Sequence, residues 1–352
     1  MHAIRLHAFG PAENLVHEVA EDPVPGPGQV RISVAAAGVH VLDTALRRGE
    51  SGPYAEPIPL PTIPGREVAG VVDALGEGTD DHWLGRPVVA HLGMVPGGYA
   101  ELAVTGADRL HAVPDGLDAA EAVAMIGTGR TALGILQFAE PGPDSTVIVT
   151  AAAGGIGTLL VQYAKNAGAT VIGLAGGPVK VAGVLANGAD IAVDYKQPDW
   201  PEQVRDYLGE QRATTVFDAV GGANGRAAVD LLGKGGRHVV FGWAGEKLHD
   251  GEPLTFTEEE QAERGITSEM VLGPGMLERA GGLRALEERS LAEAATGRLR
   301  PAVHRFPLSD AAGAHRAIET RGAVGKVVLI PTGSSPAPGS ARPARPVRPV
   351  RP

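Results

Sequence analysis

Val147-Ile148-Val149-Thr150-Ala151-Ala152-Ala153-Gly154-Gly155-Ile156-Gly157, running on through Thr158 to Ala167, is the stretch from which the rest of the chain can be read. A β-branched run of strand length meets a turn of small residues, after which Leu159, Leu160, Tyr163 and Ala164 recur at helical spacing. Strand, tight turn and helix open a βαβ unit of the dinucleotide-binding kind. Backbone N–H groups at the helix N-terminus reach a pyrophosphate only where no Cβ obstructs them. Gly154 and Gly157 provide the close approach and the close helix–strand packing, and Ala151 stands where a first glycine is usual, so the pattern is A-x-x-G-x-x-G. Alone the motif is weak, because small residues before a helix also serve simple packing. The next β-type run, Thr170-Val171-Ile172-Gly173-Leu174, arrives after one helix, as a crossover requires.

The remainder of the chain bounds what this unit belongs to. With 352 residues, 43% hydrophobic and 20% charged, there is room for two domains and a sizeable core. No apolar run reaches the roughly 18 residues of a membrane span, and the first residues lack a basic-then-apolar leader, so a cytoplasmic location and no membrane partner are expected. The formal net charge of -10 argues against a nucleic-acid partner for the folded part. Cysteine is absent, which excludes disulfides, Fe–S clusters, thiolate-bound zinc and a cysteine nucleophile together. With only 4% aromatics, the core must be built mainly from Ala, Val, Leu and Ile.

Texture divides the chain. Up to about Gly116, short β-type runs (Gln29 to Ala35, Val68 to Leu75, Val88 to Leu92, Tyr99 to Val104) alternate with Pro/Gly turns and predict a mostly β domain with little helix. From Ala119, Ala-rich helical segments around Val179 to Leu185, Trp200 to Leu208 and Gly225 to Leu232 alternate with apolar runs. Those runs are Val171 to Leu174, Ile191 to Asp194, Thr215 to Asp218, Arg237 to Phe241 and Ser268 to Leu272. Six strands alternating with helices predict an α/β, doubly wound parallel sheet. Leu277 to Thr296 reads as one long amphipathic helix, and the chain returns to short elements ending in Gly325-Lys326-Val327-Val328-Leu329-Ile330. The expected division is residues 1–118 completed by 274–331, a cofactor domain at 119–273, and a tail at 332–352. In that tail Arg342, Arg345, Arg348 and Arg351 recur every third residue in Pro-rich sequence, which predicts disorder with polyproline II bias.

Several motifs in order resemble the zinc-independent, zeta-crystallin-like quinone oxidoreductase branch of the medium-chain dehydrogenase/reductase superfamily, from Met1 to about Pro331. They are Gly38-Val39-His40-Val41-Leu42-Asp43, Pro61 to Val72 around Pro64-Gly65-Arg66-Glu67, Gly97-Gly98-Tyr99-Ala100-Glu101 and Thr128-Gly129-Arg130-Thr131-Ala132. The Ala151 to Gly157 turn, Asp218-Ala219-Val220-Gly221-Gly222, Gly235-Gly236-Arg237 and Gly325 to Leu329 follow. The resemblance implies a GroES-like β-rich domain joined to a Rossmann domain, an active cleft between them, and homodimers formed by pairing the last Rossmann strand, around Ser268 to Leu272, with its twin.

Site residues follow from the same resemblance. His40, Arg66 and a position near Ala124 fall where zinc-dependent relatives place their catalytic ligands. Only His40 could bind zinc, and a guanidinium beside it opposes a dication, so no metal is expected. His40 either faces substrate or is a hydrogen-bonded structural histidine. An NAD site carries an acid about 20 residues beyond the turn. Here Ala175-Gly176-Gly177-Pro178-Val179-Lys180 offers none, Lys180 matches the residue that pairs with a 2′-phosphate, and Tyr195 the one that lies against it. NADPH is the expected cofactor, with the alternative that Lys180 is merely solvated. Thr128 matches the segment beside the nicotinamide, Phe241, Gly242 and Trp243 the loop over the cofactor, and Lys326 the closing cofactor segment. Ala151, Gly154, Gly155, Ile156 and Gly157 form the phosphate turn. Tyr54, in the loop Ser51 to Pro61, either borders the substrate or only packs its ring. Asp43 and Glu67 are read as acids that hold loops together.

The implied chemistry is hydride transfer to a quinone or a carbon conjugated with a carbonyl, with the proton from water, Tyr54 or His40. Without a Lewis acid, simple ketones are disfavoured, whereas conjugated acceptors delocalise the charge themselves. Two other readings stand: a tailoring enzyme for one polyketide-like intermediate, and a cofactor-binding protein without catalysis.

Overall fold

A computed structural model describes residues 1–50, 56–93, 96–245 and 251–332 of the chain. Tyr54 and the Pro/Arg-rich tail from residue 333 lie outside the described residues.

Thr146–Val149 is the central strand of a six-stranded, all-parallel sheet, and all four of its residues are buried. Its alternation feeds two layers: Ile148 packs with Ile172, Val216 and Trp200 on one face, and Val147 and Val149 with Leu133, Leu159 and Phe217 on the other. Counted along the chain, the strands Thr146–Val149, Thr170–Ala175, Ile191–Asp194, Ala213–Asp218, Leu232–Val240 and Thr267–Met270 lie in the order 3-2-1-4-5-6. That is the dinucleotide-binding order, with its switch point beside Thr146–Val149.

The β-rich domain is one seven-stranded sheet in which Val303–Pro307, Lys326–Ile330, Gln29–Gly38, Glu67–Leu75, Pro87–His91 and Leu110–Ala112 are neighbours in that order. Leu102–Gly106 also pairs with Gln29–Gly38. Lys326–Ile330 therefore sits inside the sheet, with Val328 opposite Gly38 and Leu329 opposite Ala37. Where it enters, Gly325 donates its N–H to the Ala153 carbonyl (2.9 Å), which fastens this sheet to the small-residue turn of the other domain.

Two expectations need correction. The stretch Leu277 to Thr296 is not one helix but two, Pro274–Arg279 and Leu283–Ala295, broken where Gly281 and Gly282 both take positive φ (80° and 108°). The second of these packs on Met125–Leu136 instead of joining the β sheet. Glu287 bridges His111 (3.0 Å) and Arg130 (2.7 Å), and Ser290 donates its hydroxyl to the Met125 carbonyl (2.6 Å). Of residues 274–331, only Val303–Pro307 and Lys326–Ile330 contribute strands to the β-rich sheet. The strand expected from Arg237 begins at Leu232, because Gly233 to Gly236 are absorbed at an irregularity in its pairing with Ala213–Asp218. The long stretch after Gly245 contains a helix, Glu258–Arg264, capped by Thr257 and Glu260.

Among the described residues, the two non-glycines at positive φ are Ala151 (46°) and Arg321 (56°). Ala151 holds a left-handed conformation in the turn where glycine is usual, which costs an alanine about 1 kcal/mol. Ala151→Gly should therefore leave the unfolding free energy unchanged or raise it by up to about 0.6 kcal/mol after the extra flexibility of the unfolded glycine is subtracted. Urea titration checks this, and a loss of stability would show that the turn does not strain Ala151.

Buried polar groups tie the first helix, Val41–Arg48, to the sheet. Tyr99 donates its hydroxyl to Asp43 (3.0 Å) and so accepts from His315 Nε2 (3.2 Å), leaving Nδ1 as the unprotonated, unpartnered nitrogen. Burial pushes His315 down to about 4, and burial with the nearby Arg130 charge does the same for His91. Between about pH 6.5 and 4 the unfolded chain binds protons on these rings that the folded chain refuses, so stability falls as pH drops through that window, by about 1 kcal/mol per pH unit for each ring. Urea unfolding at pH 7.5 and 5.0 should show this loss, and His315→Gln should remove about half of the slope.

Candidate active site

The small-residue turn opens onto the helix Gly155–Asn166, whose N-cap is Gly154 and whose end no side chain caps. Its first N–H groups are thus left for an anion. A Cβ at Gly157 would stand 2.4 Å from the Ala151 carbonyl oxygen, so helix and strand meet only because that residue is glycine. A Cβ at Gly155 would come within 3.0 Å of Thr128 Cγ2 and 3.3 Å of the Lys326 backbone nitrogen. The turn, Thr128 and Lys326, far apart in sequence, thus share one end of the cleft, with Ile156 on the first turn of the helix. Thr128 is buried within the π-helical turn Met125–Gly129, a local widening of the kind found at functional sites. Phe241 closes the other wall at the end of its strand, where Gly242 lies so near Ala219 that a Cβ would be 2.7 Å from the Ala219 carbonyl oxygen.

At the far end, Tyr195 lies over Gly176, whose Cβ would be 2.7 Å from the tyrosine oxygen. Lys180 Nζ donates to the Arg321 carbonyl (2.7 Å). Partial burial, then the charges of Lys196 and Arg321, lower the Lys180 pKa. No ion pair among the described residues neutralises Lys180, Lys196 or Arg321. The nearby Asp194 accepts the N–H groups of Gly177 (2.9 Å) and Lys196 (3.0 Å), which fixes the turn. Lys196 and Arg321 thus both act on Lys180, while the Lys196 charge also helps to lower the Asp194 carboxyl. Lys196 and Arg321 were missed in the sequence. Lys196 adjoins Tyr195 and could have been found, but Arg321 is 141 residues from Lys180 and is brought there by the fold alone.

The near end holds a second charged group. His40 Nε2 is 2.5 Å from Glu67 Oε2, Lys326 Nζ is 3.1 Å from the same oxygen, and the two nitrogens are 2.7 Å apart. Glu67 is fully buried, its carboxylate against Gly38 and Gly127, where a Cβ would fall 2.6 Å and 1.8 Å from its oxygens. Burial alone would raise its pKa. The charges of His40 and Lys326 outweigh burial and hold the carboxyl well below the usual range. Burial lowers Lys326 in turn, and Glu67 resists that. The His40 ring is ion-paired with Glu67, and 28% of its side chain stays exposed. Lys326 meets the phosphate turn with its backbone, while its ammonium points at His40 and Glu67. Glu67, set aside in the sequence as a loop-holding acid, is the centre of this group.

The chain matches the family described as alcohol dehydrogenase GroES-like domain over residues 26–115 and that described as zinc-binding dehydrogenase over residues 155–275. It is 31% identical to a 2-haloacrylate reductase of Burkholderia sp, over 93% of this chain and 98% of that protein. An NAD-dependent alcohol dehydrogenase structure superposes with a TM-score of 0.81 at 29% identity, over 94% of this chain and 99% of the other. The Escherichia coli quinone oxidoreductase solved with NADPH does so with a TM-score of 0.80 at 27% identity, over 94% and 100%. Two fused domains, the 3-2-1-4-5-6 sheet and these relatives agree: the chain belongs to the medium-chain dehydrogenase/reductase superfamily, with quinone oxidoreductases among its structural neighbours.

Proposed function

We propose that this protein is an NADPH-dependent, metal-free reductase that delivers a hydride to a quinone or an α,β-unsaturated carbonyl. The observation that carries the reading is Lys326 Nζ lying against both His40 Nε2 and Glu67 Oε2, which themselves touch. Those two atoms are the metal-capable donors of the site, and an ammonium already stands against both. The other two ligand positions of zinc-dependent relatives fall at Arg66 and near Ala124, a cation and a side chain without a donor. The donor set therefore does not fit zinc, and no group of three or more metal-capable side chains occurs among the described residues.

For the cofactor, the Lys180, Lys196 and Arg321 charges with Tyr195 favour a 2′-phosphate, and the quinone oxidoreductase neighbour solved with NADPH supports the same reading. Gly154 to Gly157 would hold the pyrophosphate, and Thr128, Phe241 and Gly242 would border the nicotinamide. When bound, NADPH supplies the hydride. The balanced reaction consumes one NADPH, one proton and one acceptor, and yields NADP+ and the acceptor gaining two hydrogens. The chain's own part is to align the acceptor and to place positive charge where its oxygen becomes negative. Lys326 and His40 provide that charge beside the turn, and Glu67 keeps both nitrogens in place. His40, partly exposed, can also deliver the proton, with Lys326 close enough to replace it. A cytoplasmic homodimer pairing through the edge strand Thr267–Met270 completes the proposal.

Two measurements test it. NADPH oxidation followed with small quinones and enones should proceed undiminished in the presence of a chelator, and metal analysis should find no zinc in stoichiometric amount; one zinc per chain would overturn the metal-free reading. Lys180→Ala should weaken NADPH binding by about 1–3 kcal/mol while NADH binding stays nearly constant. Equal losses for both cofactors would remove Lys180 from the 2′-phosphate site.

A further inference from the structure

Beside the His40 group lies a shallow crevice open to solvent, with about 10 Å³ of enclosed room at its floor, whose walls include Leu6, Asp43, Leu46, Arg47, Ile58 and Arg66. Arg66 is only 8% exposed, yet its guanidinium makes no hydrogen bond to any described residue, and its Nε is buried without a partner. The nearest carboxylate, Asp43, has its Oδ1 3.8 Å from that Nε, beyond hydrogen-bonding range. The other oxygen of Asp43 is already engaged, accepting from the Tyr99 hydroxyl (3.0 Å) and the His40 N–H (2.8 Å). Arg47 gives its terminal nitrogens to Glu319 and keeps its own Nε buried and unpartnered in the same wall. Two buried guanidinium groups thus retain unused donors along one crevice. Burying such donors without an acceptor costs more than burying an ordinary polar group, so the arrangement fits a site where a ligand brings the acceptors.

Charge and shape narrow the ligand. Arg47 with Glu319 and Arg66 with Asp43 leave the crevice close to neutral, so a dianionic phosphate would face two carboxylates. A carboxylate brings one charge and a planar pair of oxygens that matches the guanidinium fork. Position narrows it further. Asp43, the carboxylate nearest Arg66, also accepts the His40 N–H (2.8 Å), so a group held at Arg66 lies on the His40 side of the chain. We propose that Arg66 recognises a carboxylate on the acceptor, which makes the substrate class a quinone or conjugated carbonyl that carries a carboxylate. This rests on the reductase reading above and adds its specificity determinant.

The test pairs 2-chloroacrylate with its methyl ester, and a carboxy-substituted benzoquinone with its ester. The wild-type protein should favour the acid of each pair by at least tenfold in kcat/KM. Arg66→Gln should bring that ratio to about one, and Arg66→Lys, which keeps the charge without the fork, should fall between. A second readout avoids turnover: calorimetric binding of the saturated acid 2-chloropropionate to the NADP+ complex should be seen with wild type and lost in Arg66→Gln. An unchanged NADP+ affinity in the variant shows that it is folded. Esters reduced as well as acids by the wild type, or equal losses on acid and ester in Arg66→Gln, would overturn the carboxylate site and leave the reductase reading intact. Reduction of no acceptor would instead sink the reductase reading, and calorimetry alone would then decide whether Arg66 binds a carboxylate.

Discussion

A fully buried carboxylate is the constraint around which both domains are arranged. Glu67 cannot be ionised in the protein interior without cations at close range, and it recruits them from two distant parts of the chain, His40 and Lys326. The demand reaches outward through space-filling. Gly38 and Gly127 must be glycine because the carboxylate occupies the room of their side chains. Gly127 lies in the π-helical turn that presents Thr128, and the Lys326 strand begins one residue after the bond that ties Gly325 to Ala153. One ionic contact thus fixes the distance between the phosphate turn, the wall beside it and the β-rich sheet.

The cofactor end follows a different rule. There three cations stand against one acid: Lys180, Lys196 and Arg321 gather at the turn, and Asp194, which the Lys196 charge helps to lower, accepts the backbone N–H groups of Gly177 and Lys196. Charges are paired around Glu67, and an excess of positive charge is left around Lys180. This contrast is what gives the cleft a direction, because a ligand bearing a dianion at one extremity is drawn to only one of the two ends.

Much of this was legible in the sequence, and the gaps have physical causes. The doubly wound sheet was readable because Thr146–Val149 and its neighbours are buried on both faces and so appear as unbroken apolar runs. The phosphate turn was readable because close approach admits only small residues. Glu67 was read as an acid that holds loops together, and its burial against His40 and Lys326 agrees, but an acid at the head of a β-branched strand does not say which cations it will meet. Arg321 was invisible, and Arg66 was read only as a cation opposed to a metal, for the same reason: their meaning depends on partners, or on the lack of partners, that only the folded chain defines. The division of Leu277 to Thr296 into two helices rests on Gly281 and Gly282, whose positive φ angles a periodicity argument cannot detect.

The placement of Lys326–Ile330 inside the β-rich sheet, between Val303–Pro307 and Gln29–Gly38, has a consequence for biosynthesis. On a ribosome, every strand of the Rossmann sheet emerges before this one, so that domain can close while its partner still has a slot open beside Gln29–Gly38. Until Lys326 arrives, Glu67 lacks one of its two cations and the gap exposes backbone N–H and C=O groups of a strand edge. A nascent chain stalled before residue 326 would thus hold a nearly complete cofactor domain beside an adhesive half-built sheet, which is the form in which this protein would most readily attract chaperones or aggregate.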